Sequence, residues 1–186
     1  MVRRSLLQGL ALMPWLWAPG SLPAQPQAHG IELAHLELQR SETELTLDFD
    51  VRVALPRGVE DAMQRGVPVY FVADATLYRS RWYWRDERVA RVQRSWRVAY
   101  QPLTSIWRVG FGGFNQNFQT LGEALTAASR SSRWKVADSA LLDPDSRYYL
   151  DFSYRLDTSQ LPSPMQIGLG GQAEWVLGVE RQLRLE

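Results

Sequence analysis

The chain of 186 residues contains no cysteine, a single lysine and two histidines. Without cysteine there is no disulfide framework, no thiolate nucleophile or thiolate metal ligand, and no residue for lipid attachment. The histidines are His29 and His35. A Ser-His-Asp triad or a His-rich metal site would have to run through His35, because His29 falls in an N-terminal linker. A histidine at the surface or boundary of a strand is the simpler reading. Lys135 is the one amine available as a nucleophile, and beside Trp134 its aliphatic stem is expected to cover apolar surface instead. Long apolar runs are also missing. The longest, Leu6 to Ala18, is shorter than the roughly 20 residues that cross a bilayer and contains Pro14.

That run nevertheless has a context. Arg3 and Arg4 precede it and Leu22-Pro23-Ala24 follows it, which is the order of a positive region, an apolar region and a small-residue cleavage site in a secretory signal. Adjacent arginines before Ser5-Leu6-Leu7 resemble a twin-arginine signal, but the very short positive region favours ordinary export. The expected organisation is a signal peptide over 1–24, a linker over 25–30 and one domain over 31–186, exported to the periplasm. A disulfide-free exported domain must rely on burial, and six Trp, seven Tyr and six Phe remain after residue 24 to supply it.

Leu45, Leu47, Phe49, Val51 and Val53 alternate with Glu44, Thr46, Asp48, Asp50 and Arg52, the pattern of a half-buried strand over Thr43 to Leu55. Further strands are expected over Ile31 to Leu38, Val67 to Leu77, Val89 to Tyr100, Ser105 to Phe111, Arg147 to Thr158 and Glu174 to Leu185. Pro56 opens a short helix that Gly66 closes. Thr120-Leu121-Gly122-Glu123 fits a capping box, so a second helix is expected from Leu121 to about Ser131. About seven strands with two short helices predict a mainly β fold, an antiparallel β-sandwich of broadly immunoglobulin-like type.

Carboxylates are the catalytic side chains left in quantity. Asp48 and Asp50 project from one face of a strand, and Asp86 with Asp151 makes another pair. Either would serve a carbohydrate-active or cell-wall enzyme as acid and base, although charges on the polar face of an amphipathic strand need no such explanation. Asp143-Pro144-Asp145 is too sparse for a calcium loop. Gly168-Leu169-Gly170-Gly171-Gln172-Ala173 nominally matches a dinucleotide fingerprint, but no βαβ unit surrounds it. Gly110-Phe111-Gly112-Gly113-Phe114 ends a strand and turns the backbone before Asn115-Gln116-Asn117. No cofactor and no metal are expected.

The most distinctive stretch is 79–97, with arginines at 79, 81, 85, 88, 91, 94 and 97 and interleaved Trp82, Tyr83, Trp84 and Trp96. On a strand Arg91 and Arg97 share the solvent face while Arg88 and Arg94 point the other way. Ion pairing and stacking suit such a band to acidic sugars, headgroups or single-stranded nucleic acid, and the expected export argues against the last. The band also divides the charge. The formal net charge is +1, but removal of Arg3 and Arg4 leaves 19 basic against 20 acidic residues. Of these, seven Arg against Asp86 and Glu87 fall within 79–97, a local +5 set against −6 elsewhere.

Several of these segments together resemble a bacterial family of exported proteins, the domain-of-unknown-function family 4390, also described as proline-rich signal peptide proteins. The resemblance is carried by Arg65-Gly66-Val67-Pro68-Val69-Tyr70-Phe71, Leu77-Tyr78-Arg79 and Arg81-Trp82-Tyr83-Trp84 with Asp86-Glu87. It continues through Tyr100, Leu103-Thr104, Gly112-Gly113, Phe118, Leu121, Glu123-Ala124-Leu125 and Leu156-Asp157-Thr158-Ser159-Gln160-Leu161-Pro162 with Pro164. It is weaker over 165–186. It implies export and assigns no activity and no catalytic residue. Family members are often encoded beside a membrane sensor kinase of the nitrogen-regulation type, which implies such a sensor as a partner. The expectation is therefore a non-enzymatic periplasmic binding or adaptor domain for an envelope or sensor protein. Its binding residues are expected to be Arg79, Arg81, Trp82, Trp84, Arg91 and Arg97. An acidic lipid or polysaccharide, met through peripheral membrane contact, is the alternative ligand of the same band.

Overall fold

The computed structural model describes residues 30–83, 85–161 and 175–185. The signal region, nearly all of the linker, Trp84 and the glycine cluster at 168–173 lie outside the described residues. The chain folds as β1 (Gly30–Arg40), β2 (Glu44–Ala54), α1 (Arg57–Gln64), β3 (Val69–Arg79), β4 (Glu87–Gln101), β5 (Ile106–Phe111) and β6 (Phe114–Phe118). There follow α2 (Leu121–Ala128), β7 (Arg130–Asp138), β8 (Tyr148–Asp157) and β9 (Gly178–Leu185). All pairings are antiparallel, in a three-stranded sheet ordered β1-β2-β7 and a six-stranded sheet ordered β6-β5-β4-β3-β8-β9. The two sheets pack as the sandwich that the alternation predicts.

Among the described residues nine strands stand where seven are expected from the sequence, the additions being β6 and β7. Gly112 and Gly113 both adopt left-handed φ, +55° and +86°, which makes the two-residue turn of a hairpin. The chain therefore returns along β5, and the polar segment Asn115-Gln116-Asn117 forms part of a strand. α2 stops at Ala128, short of Ser131, because β7 begins at Arg130. Val51 N–H donates to Ser129 O at 2.9 Å at that junction, so the helix end is tied to the three-stranded sheet.

Leu45, Leu47, Phe49 and Val51 of β2 are buried and face Phe71, Ala73, Ala75 and Leu77 of β3 together with Phe152 and Tyr154 of β8. Phe49 is the hub. Its ring lies 5.1 Å from Phe152 and 6.1 Å from each of Trp96, Trp134 and Tyr154. The Tyr154 hydroxyl, deep in this core, donates to Ala128 O at 3.1 Å, and burial raises its pKa well above the ordinary phenol value. The two helices carry the chain between the sheets, α1 from β2 to β3 and α2 from β6 to β7. α1 buries Val59, Ala62 and Met63, and Gly66 ends it at φ +90°.

The capping box at α2 is complete. Thr120 Oγ1 accepts from Glu123 N–H at 3.2 Å, and Glu123 Oε2 accepts from Thr120 N–H at 3.1 Å. Thr120→Ala should cost about 1 kcal/mol, a fall in melting temperature of roughly 2–4 °C for a domain of this size. A calorimetric scan that leaves the midpoint unmoved would show that the cap contributes nothing to global stability.

Candidate functional site

The described residues of the basic and aromatic band occupy the end of β3, the connecting loop on either side of position 84 and β4, and their side chains reach three different environments. At the loop, Trp82 is 94% and Tyr83 68% exposed, and their rings meet edge to face at 5.0 Å. The loop that carries them is braced from below. Arg81 N–H donates to Asp86 Oδ1 at 3.0 Å, the Tyr149 hydroxyl donates to Asp86 Oδ2 at 2.7 Å, and the Arg81 guanidinium pairs with Glu87. Ser80 N–H donates to Arg147 O at 2.8 Å. Arg79 donates to the Tyr148 hydroxyl from Nε and Nη2 at 3.1 and 3.0 Å, with its Cζ 5.5 Å from the Tyr148 ring centre. Arg79 and Arg81 thus hold the loop, and Trp82 and Tyr83 are what it presents.

The second environment is the outer face of the six-stranded sheet. Arg91 and Arg97 lie there, as the alternation predicts. Arg88 joins them, against expectation. The register between β3 and β4 shifts between Leu77 and Tyr78, so that Tyr78 faces Arg88 and Val89 has no partner. One extra residue in a strand reverses the side of everything beyond it. At the centre of this face Asp74, 7% exposed, takes Arg91 Nε on Oδ1 at 2.9 Å and Arg155 Nη1 on Oδ2 at 3.5 Å. The hydrogen bond to Asp74 raises the Arg91 pKa. A depression of 590 Å³ lies here, with Asp74, Thr76 and Ser153 among its lining and Arg88, Arg91 and Arg155 around them. Arg97 stands at the far end, opposite Tyr70 and Gly110.

Arg94 occupies the third environment, on the inner side of β4. Its Cζ is 5.4 Å from the Phe111 ring centre and 5.2 Å from that of Trp134.

The brace under the loop has an electrostatic signature. The Tyr149 hydroxyl and then the Arg81 N–H hold the Asp86 carboxyl below the usual carboxylate range. In return the hydrogen bond to Asp86 pushes the Tyr149 phenol up to about 12. A raised folded pKa means stability complete below the unfolded value near 10 and lost as pH rises through about 12. Asp86→Asn should therefore move the Tyr149 transition to lower pH in an ultraviolet phenolate titration. An unmoved transition would refute the pairing.

The other residues nominated by the sequence have local partners. Asp48 accepts from Arg133 N–H at 2.5 Å, where Arg133 adopts a φ of +47°, and Asp50 pairs with Arg130 at 3.3 Å. Asp151 accepts from Gln182 at 2.9 Å. Asp143 forms a turn, accepting from Asp145 N–H and Ser146 Oγ at 3.0 Å each. His35 is exposed, 3.5 Å from Glu37. Lys135 corrects its expectation: it is half exposed and bridges Asp138 at 2.5 Å and Glu44 at 3.9 Å, because neighbouring Trp134 points to the opposite side of β7 into the core. Sequence reasoning missed Asp74, Arg155 and Tyr149. Asp74 carried a signal, since it is the one charged residue in the otherwise apolar or neutral run from Val69 to Leu77.

Among the described residues no helix is long and apolar enough to cross a membrane. A family model described as Domain of unknown function (DUF4390) matches residues 28–184. No curated protein and no solved structure matches the chain.

Proposed function

The chain belongs to the family Domain of unknown function DUF4390, and since membership supplies no activity, we propose from the surface itself that this is a non-enzymatic binding or adaptor domain. It is exported to the periplasm and docks a protein of the cell envelope. The outer portion of a membrane sensor is the partner of choice. The observation that carries this reading is Trp82, 94% exposed on a loop held by Asp86. A large apolar side chain on a braced loop loses little conformational freedom when covered, and Trp, Tyr and Arg dominate binding hot spots. Arg81 serves by holding the loop, and Arg91 and then Arg97 lie progressively farther from it along β4 on the outer sheet face, within reach of a partner that extends over the sheet.

A photo-crosslinker placed at Tyr83 in cells tests the proposal. One principal protein adduct, lost when Trp82 is also changed to Ala, is the expected result. Adducts with lipid or glycan alone, or none, overturn it. The arginine-rimmed depression around Asp74 favours a second reading, an acidic saccharide or headgroup on the outer sheet face. That binding would weaken steeply with salt, whereas salt-insensitive retention on acidic glycans or liposomes would dismiss it.

A further inference from the structure

Arg94 enters the gap between the two sheets on the side where β6 and β7 are their edge strands. Its guanidinium lies over Phe111 of one sheet and Trp134 of the other, and Nη1 donates to Ser131 Oγ. It is half-buried and has no ion-pair partner among the described residues, whereas neighbouring Arg130 is matched by Asp50 at 3.3 Å. A cation taken out of water without a counter-charge is costly, and desolvation draws its pKa below the ordinary value. An arginine has five N–H donors in one plane. Aromatic rings lie against the guanidinium, one donor is used on Ser131, and Arg94 lines two adjoining cavities.

That space is built. A cavity of 220 Å³ has Arg94, Trp96, Phe111 and Phe114 among its walls. A second of 420 Å³ shares Arg94, Arg130 and Ser131 and is bounded by Asp48 and Asp50. Phe111 is 38% and Phe114 79% exposed, so apolar surface stands beside the unmatched cation. An in-plane pair of guanidinium N–H groups donates to both oxygens of a carboxylate in bidentate fashion. Among the described residues Arg94 is the cation here without an ion-pair partner, Asp50 is taken by Arg130, and Asp48 accepts a backbone N–H, so a dianion would meet the Asp48 charge.

We propose that this cleft binds a monocarboxylate carried on an apolar group. Arg94 holds the carboxylate, and the apolar part lies against Phe111 and Phe114. The site is separate from the Trp82 loop and stands or falls independently of it.

Titrating the full chain with octanoate, octan-1-ol and octyl phosphate, and following tryptophan emission from Trp96 in the cavity wall and Trp134 against Arg94 together with amide NMR shifts, tests the assignment. Octanoate should bind saturably and at least about tenfold more tightly than the alcohol, the range of a hydrogen-bonded charge pair. Arg94→Met should abolish that preference. Phe114→Ala, at an exposed position that leaves the core intact, should weaken octanoate about threefold or more and keeps the test open should the Arg94 variant misfold. Equal binding of acid and alcohol, absence of saturation, tighter binding of octyl phosphate, or variants that leave octanoate binding unchanged would each overturn the proposal.

Discussion

Phe49→Ala is expected to remove about 3–5 kcal/mol of stability, which lowers the melting temperature by on the order of 10 °C. The size of the effect follows from the position of the ring. Phe49 comes from the central strand of the three-stranded sheet and meets Trp96 of β4, Trp134 of β7, and Phe152 and Tyr154 of β8. Truncation opens a void whose walls are themselves large rigid rings, and such walls collapse poorly into the space. Phe49→Leu, which keeps most of the volume, should cost distinctly less. Val53→Ala, half-buried near the end of the same strand, should cost less still. Thermal denaturation of the three variants checks the order, and near-equal midpoints would show that Phe49 is not the hub.

Trp82→Ala is expected to weaken partner binding about thirtyfold or more, the threshold of a hot-spot residue, while leaving the melting temperature within about 1 °C, as surface substitutions generally do. Trp82 is 94% exposed, and its ring contact is with Tyr83, itself exposed. Arg81→Ala should weaken binding less than Trp82→Ala, because Asp86 still holds the loop through Tyr149. Arg97→Ala should weaken it least, as a charge at the end of the sheet face remote from the loop. Quantitative pull-down of the adduct partner, read beside a melting curve for each variant, separates these outcomes. Loss of binding with loss of stability would assign Trp82 to folding instead of docking.

The elements legible in the sequence are those whose burial is one-sided. β2 alternates strictly, and its odd positions from Leu45 to Val51 are buried. The capping box at Thr120 is a local signal and is found where its residues stand. β6 was hidden because Phe114–Phe118 is exposed at every position but the last. Backbone pairing with β5, and no burial pattern, makes it a strand. β7 was hidden because irregularities against β2 between Leu45 and Thr46 and between Leu47 and Phe49, with Arg133 at positive φ, break its period. In the candidate site, the exposure of Arg91 and Arg97 followed from alternation. The face of Arg88 did not, since it depends on a bulge. The Trp134 contact of Arg94 and the second arginine on Asp74 come from strands far away in sequence, and no local pattern records them.

The pairing of β3 has a consequence for the order in which the molecule can assemble. On one side β3 pairs with β4, its neighbour in sequence, but on the other its partner is β8, reached across 69 residues from Arg79 to Tyr148 and 81 from Asp74 to Arg155. Closing such distances is entropically expensive and slows folding into the millisecond-to-second range. Until β8 arrives, the most apolar strand of the sheet offers an unprotected edge, and Asp74 lacks one of its two arginines. A chain emerging amino end first would pass most of its length in that condition. The interval before Tyr148–Asp157 docks is therefore when this protein is most open to mispairing with another strand, and when a holding chaperone would matter most to its yield.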